Sequence, residues 1–449
     1  MEQQYITALD YALIPLALFI IFFFGIRYRN NYYPSGHPLR IYFIPALLVK
    51  LVGALFIGII YAYYYKSGDT FNFFYHSRII NSSLDESFIK WVNLLFKIPD
   101  YNDVNYYKYT SQMFWYNSNA NYTVSAFGAF CSVLFFNTYL PASLIFAVVS
   151  FTGGWALFIL FSKMYPRLVK PLSVCILFVP SVVIWGSGIF KDTLCLAGLG
   201  WLIYGLFHVL IYRQYKSRNF LIIILGLVML YLIKVYILAT LMPALLVWLL
   251  LSYTKRIKSS KVRFGTNIFL TTILIVATLY IMNQANDLLG RYSLDNVVET
   301  SASTRNYIYR VSGDDGSGYS LGEFTPGIGG LLLKLPQAIN VTLFRPYPWE
   351  AKKLIVFLTS GEAVIFLLVT IKLLLSVPLK KIIKSIRSDS TIQFCLIFSL
   401  VFAFSVGISS YNFGALSRYK IPCLSFYLIS ITLIYYLNVP RKRLLGNVM

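Results

Sequence analysis

The sequence predicts an all-α, polytopic integral membrane protein of about 11–12 transmembrane helices, with juxtamembrane and re-entrant helices on its outer side. Three observations predict it. The chain is 58% hydrophobic and only 12% charged, with a mean hydropathy of +0.67, whereas soluble domains carry about 25% charged residues. Runs approaching the ~20 apolar residues that a span requires recur from Leu9 to Leu437. The charge is also sorted along the chain. Six short segments (27–40, 163–171, 213–218, 253–263, 372–391 and 438–449) hold 22 of the 39 Lys/Arg and a single acid, Asp389. The other loops and span ends hold 16 Lys/Arg against 16 Asp/Glu, which leaves only Lys50 within a span. That is the positive-inside pattern. The net charge of +22 therefore reports orientation and not a nucleic-acid partner. The chain reads as one transmembrane domain, 1–449, in a cell (inner or plasma) membrane, with its N-terminus outside and its C-terminus cytoplasmic.

Taken in order, the first run, 8–26, lacks a basic leader and a small-residue cleavage site, so it is expected to be an uncleaved span. The second, 41–65, ends in a tyrosine belt, and Lys50 within it reads as a lysine snorkelling inward. Spans are expected at 143–162, 172–187, 191–212, 264–283, 354–376, 392–410 and 421–437. The run 219–252 is expected to be a tight hairpin with Lys234 near its outer tip. Counting 122–138 as a span would invert every later loop and put the basic ones outside, so it is expected to be re-entrant or juxtamembrane on the outer side. Two large outer loops remain, 66–121 and 284–353. In the first, Ser83-Leu-Asp-Glu86 is a capping-box signature. Leu84, Phe88, Trp91, Leu95 and Ile98 follow at helical spacing, which predicts an amphipathic helix in the interface plane. Tyr101–Tyr122 is dense in Tyr and Asn; such a surface suits pyranose rings, and a generic aromatic belt accounts for it equally. In the second loop, Ile328–Phe344 is apolar but interrupted by Lys334 and Pro336, so it is expected to dip in without crossing. The five cysteines lie in apolar stretches without metal-type spacing and read as small buried hydrophobes.

The chain is organised around KSGDTFNFFYHSR, Lys66–Arg78, directly after the tyrosine belt. Asp69 sits just beyond a membrane face, and on a helix His76 would share its face about 10 Å away. A carboxylate there can take a proton from a hydroxyl, and an N-cap role for Asp69 is the alternative. PSVVIWGSGIFKDTL breaks one helix and opens another at Lys191-Asp192, where free backbone N–H groups favour phosphate. Asp192 is either a second carboxylate of the site or a complement to the helix dipole. In the second loop, LFRPYPWEAKK holds Arg345 and Glu350, and an arginine fork suits phosphate oxygens. Glu362, roughly 12 Å into the next span, is expected to pair with Arg345 or with a lysine of the outer cluster. The last outer loop contributes Arg418 and Lys420, either to an anionic headgroup or as interfacial anchors. There is no HExxH, no Walker loop and no D-x-D; Asp100/Asp103 and Asp314-Asp315 are imperfect substitutes, so a divalent metal is not indicated. No other cofactor is called for.

With Gly68-Asp69-Thr70 and Tyr75 after an early span, PSVVIWGSGIFKD at a hairpin tip, and the late arginines Arg345 and Arg418, the chain resembles the GT-C class of polytopic glycosyltransferases. It is similar in the same way to bacterial O-antigen and exopolysaccharide polymerases. Thr70 stands where members often carry a second acid, and the C-terminal soluble domain of some members is absent. The resemblance implies transfer of sugar or glycan from a polyprenyl-(pyro)phosphate-linked donor to a glycan or lipid acceptor on the outer face. It implies Asp69 as general base, with Asp192 second. His76, Lys191, Arg345, Glu350, Arg418 and Lys420 would contact substrate, with membrane lipids around them. The alternative is a lipid-linked oligosaccharide flippase or transporter without enzymatic activity, for which internal repeats are missing. A membrane acyltransferase would have only His37 and His208 as candidate bases on the inner side.

Overall fold

A computed structural model of the chain describes residues 5–254, 317–322, 328–410 and 412–439, with scattered residues between 257 and 272. Those residues are almost entirely helical, and among them no strand forms beyond one isolated bridge, Gly318 to Asn412. Eight of the described helices are long and apolar enough to cross a membrane, so the protein is an all-α, multi-pass membrane protein. Packing divides it into two units, Met1–Lys234 and Val235–Met449.

The first unit is built on α7 (Tyr139–Met164), against which α1 (Ala8–Tyr32), α2 (Arg40–Ile59), α8 (Val169–Leu177) and α10 (Lys191–Leu206) all pack. Small residues let α7 and α10 approach closely. A Cβ at Gly200 would lie 2.1 Å from the Gly153 carbonyl oxygen, and one at Gly153 would lie 2.5 Å from the Ala197 Cα. Without a hydrophobic drive between helices in lipid, such backbone contact is a main source of association. The start of α7 is held by Asp10: one carboxylate oxygen accepts from the Leu140 N–H at 2.9 Å, the other from Thr7 N–H and hydroxyl at 2.9 Å.

Three sequence expectations change here. The predicted span 172–187 is not one helix: α8 stops at Leu177 and the short α9 (Pro180–Trp185) begins at Pro180, which cannot donate a backbone bond across the junction. Lys50 does not snorkel. It is buried, and its ammonium donates to Ser150 Oγ (3.1 Å) and to the carbonyls of Val182 (2.9 Å) and Gly186 (3.0 Å), where α9 ends. Lys234, expected near the outer tip of a tight hairpin, is instead a break within one helical segment. It is the one residue of extended backbone inside α11 (Ser217–Thr254), with φ −145° and ψ 76°, and its side chain is buried. A break does fall there, and 38 residues rise about 57 Å, nearly twice a bilayer core.

The region 66–121 folds with α6 (Asn119–Val133) into a compact module of α3 (Asp69–Ser82), α4 (Phe88–Leu95), α5 (Tyr107–Thr110) and α6. At 15 residues, α6 is too short to cross a bilayer. The cap of α4 is Ser87, which accepts from the Ile89 N–H at 3.2 Å, and not Ser83, whose hydroxyl prolongs α3 by donating to the Ile80 carbonyl at 2.6 Å. The apolar stripe of α4 is also divided. Trp91 and Leu94 enter the module core with Tyr109, Met113, Tyr116 and Tyr122, while Phe88, Ile89, Phe96 and Ile98 remain exposed. Much of the expected wet tyrosine surface is thus core: the Tyr116 and Tyr122 hydroxyls donate to the carbonyls of Pro99 and Leu94.

In the second unit, α16 (Ser390–Ser410) packs on α18 (Ile421–Asn438) and on α13 (Leu335–Phe344). α14 (Leu354–Ser376) packs on α18 and α13, and α15 (Leu379–Ser388) lies against α16 and α18. The run Ile328–Phe344 is two short helices, α12 (Ile328–Leu333) and α13, divided at Lys334 with Pro336 in the first turn of α13. Helix α17 (Phe413–Tyr419) is capped by Asn412, which accepts from the N–H groups of Gly414 and Ala415. Most of the predicted span 264–283 and most of 284–327 lie outside the described residues.

Candidate functional site

Two regions collect the candidate residues, one in each unit. In the first unit, α2 ends in a wider turn, Ile60–Tyr65, that carries the tyrosine belt. Gly68 then takes a φ of +139°, and a Cβ there would lie 2.4 Å from the Tyr61 ring. Only glycine permits both the dihedral and the ring contact. Gly68 is the cap of α3, with its carbonyl accepting from the N–H groups of Phe71 and Asn72. Asp69, half-buried, is therefore the first helical residue rather than the cap. Thr70 is buried, and its hydroxyl bonds the Tyr139 hydroxyl at 2.7 Å, tying α3 to the start of α7.

Tyr61 is also what joins the two segments singled out in the sequence. Its ring lies 5.6 Å from that of Phe190, the cap residue of α10, immediately before Lys191 and Asp192. Lys191 is half-buried at that helix start, while Asp192 is buried and forms an ion pair with Lys234. Asp192 is thus enclosed and engaged within the protein, whereas Asp69 is half-buried at the head of α3 and is the more accessible of the two acids. His76 does not stand open beside it. The imidazole is fully buried against Phe114 (4.4 Å) and Trp115 (5.5 Å), and neither ring nitrogen has a hydrogen-bond partner among the described residues. Burial pushes its pKa down to about 4, so it is neutral near pH 7 and closed to a substrate.

In the second unit, a cavity of about 440 Å³ is lined by Ser320, Leu321, Gly322, Lys334, Gln337, Asn340, Val341 and Arg345. Lys334, Gln337, Val341 and Arg345 recur at helical spacing, so the break before α13 and the helix itself form one wall. The other wall is segment 317–322. It is fixed by the Tyr319 hydroxyl donating to the Gly407 carbonyl (2.8 Å), by the Phe413 N–H donating to the Ser317 carbonyl (2.9 Å), and by the Lys352 N–H donating to Ser317 Oγ (3.0 Å). Gly322 has a φ of +75°, and a Cβ there would lie 3.3 Å from the Lys334 ammonium.

Arg345 and Glu350 form a two-point ion pair, Nε to Oε2 at 3.0 Å and Nη2 to Oε1. Glu350 also accepts from the Tyr347 N–H at 2.8 Å. Partial burial pushes the Glu350 pKa up, but the Arg345 contact and the Tyr347 N–H outweigh it and hold the carboxyl below its ordinary value. The Arg345 guanidinium lies 5.3 Å from the Phe413 ring, with Tyr319 and Tyr347 at about 6 Å. Of the two partners expected for Glu362, Arg345 is taken by Glu350, and the lysine alternative is the one that lies near. Glu362 is buried in α14, within electrostatic reach of Lys420. Lys420 is itself buried, and its ammonium donates to the Arg345 carbonyl at 3.2 Å, so it supports the site from behind. Arg418 is half-buried in α17.

The sequence points to Arg345 and Glu350, and marks Lys334 only as an interruption of the apolar run. The spacing 334, 337, 341, 345 was the available signal that Lys334 and Gln337 share a face with Arg345. Among the described residues no group of three or more His, Cys, Asp or Glu is arranged to hold a metal ion. No protein-family model matches the chain, and no curated protein or solved structure matches it significantly.

Proposed function

We propose that the protein is a membrane glycosyltransferase or polysaccharide polymerase that takes sugar or glycan from a polyprenyl-(pyro)phosphate-linked donor. The observation that carries this reading is the cavity of the second unit. Two cations, two carboxamides and a hydroxyl line one space of about 440 Å³ beside helices apolar enough to span a bilayer. Cations suit phosphate oxygens, and amides and hydroxyls suit sugar hydroxyls. A phosphate leaving group is already anionic, so it needs charge stabilisation more than protonation. Arg345 supplies it from a guanidinium whose Nε and Nη2 are held by Glu350 and whose Nη1 is outside that pair. Separately from the cavity, the family resemblance implies Asp69 as the base for an acceptor hydroxyl, a role worth about 10²–10⁴-fold in rate.

The test is glycan transfer from a synthetic polyprenyl-phosphate donor by purified wild type, Lys334→Gln and Arg345→Lys. A lysine can neither make the two-point pair with Glu350 nor present a further Nη1 donor from a fixed plane, so Arg345→Lys is expected to lower turnover at least about tenfold. Lys334→Gln leaves the Glu350 pair intact, so its loss of activity reports on the cavity and not on folding. Near-normal transfer by both variants would remove the cavity from the reaction. No transfer by folded wild type across a donor panel would favour the flippase reading.

A further inference from the structure

Helix α15, Leu379–Ser388, lies between the end of one candidate span at Ser376 and the start of the next at Ser390. At 100° per residue, Leu379, Ile382, Ile383 and Ile386 fall within an arc of about 100°, and Lys380, Lys381, Lys384 and Arg387 within about 120° on another side. The helix is thus divided lengthwise into an apolar and a basic strip. One edge is pinned to the protein: Ile382 and Ser385 are buried, and the Asn438 side-chain amide donates to Ser385 Oγ at 2.7 Å. The remainder is open. Leu379 is 66% and Ile383 42% exposed, and all four cations are exposed. The one acid of the segment, Asp389, accepts from the Thr391 N–H at 2.8 Å at the start of α16.

We infer that α15 is a binding surface for anionic phospholipid headgroups. A helix joining two spans by short connections stays at the level where those spans leave the hydrocarbon. Leu379 and Ile383 then enter the acyl boundary, while the cations sit among the headgroups. Orienting a membrane protein needs only the number of positive charges in a loop. Their confinement to one strip of a pinned helix, beside two exposed aliphatic side chains, adds a surface that matches a charged bilayer face. A soluble acidic partner would not account for the exposed aliphatics. The inference is independent of the proposed transferase reaction.

The experiment uses the full chain in mild detergent, titrated with phosphatidylglycerol or phosphatidylcholine, and counts bound lipids by native mass spectrometry. Wild type is expected to prefer phosphatidylglycerol at least about tenfold at low ionic strength, with the preference falling as salt rises. In K380Q/K381Q/K384Q/R387Q the preference should shrink to within about twofold; the buried edge, Ile382 and Ser385, is unaltered there, and thermal unfolding checks the fold. Leu379→Ser with Ile383→Ser should weaken both lipids alike. Three results overturn the inference: no preference in wild type, a preference that survives 1 M salt, where the screening length is about 3 Å, or an undiminished preference in the folded quadruple variant. The salt series needs no variant, so the test stands even if the quadruple variant fails to fold.

Discussion

At the scale of single residues, Asp69 and Glu350 make different demands. The cap of α3 is Gly68, so Asp69→Asn removes a base without removing a cap. Glycan transfer should fall at least about a hundredfold while thermal stability stays within a few degrees; near-normal activity would return Asp69 to a structural role. Glu350 predicts a pH effect. Its folded pKa is depressed, so its contribution to holding Arg345 is present above the ordinary carboxylate range and is lost as pH falls through the lowered value. The acid limb of transfer should therefore extend to low pH in wild type, and Glu350→Gln should abolish that limb together with most of the activity. The sequence disclosed which residue types gather, but not their partners. Asp192 meets Lys234 across 42 positions because helices pack there, whereas Arg345 takes Glu350, five positions on, because the intervening turn brings it back within reach.

At the scale of elements, hydropathy located most of the long helices, because length and apolarity alone make a span. It missed breaks and caps, which depend on single residues. Pro180 divides 172–187, and Ser87 takes the cap that Ser83 was expected to hold, because Ser83 is still bonded to the end of α3. The stripe Phe88–Ile98 showed that α4 has an apolar side, yet not that part of it would meet a protein core. Close helix contact was equally silent, and it predicts a sharp effect. Gly200→Ala puts a methyl 2.1 Å from the Gly153 carbonyl oxygen, so α7 and α10 must separate. A loss of about 1–3 kcal/mol is expected, read as a lower unfolding temperature in detergent. Gly361→Ala, where a Cβ meets nothing within 4 Å, is the matched control and should be neutral or mildly stabilising.

At the scale of the whole molecule, the all-α, multi-pass architecture was legible in composition and hydropathy, whereas the expected orientation rests on charge sorting alone. It is tested with single cysteines and an impermeant thiol reagent, in a background with Cys131, Cys175, Cys195, Cys395 and Cys423 replaced; all five are buried. Positions in 66–121 and 284–353 should label from outside and those in 253–263 should not; the reverse would overturn the orientation. Lys50 carries the last consequence, for the order in which the protein is made. A lysine at the centre of a helix opposes membrane insertion by about 2.5–3.5 kcal/mol. Its acceptors are Ser150, Val182 and Gly186, which lie 100, 132 and 136 positions later in the chain. While the ribosome is still making the residues in between, the second helix has no partner for that charge. The apolar residues of that helix outweigh the cost of one lysine, so the helix can be laid down early, but its charge is satisfied only by backbone and hydroxyl groups made much later, and the first unit closes around Lys50 from its far end.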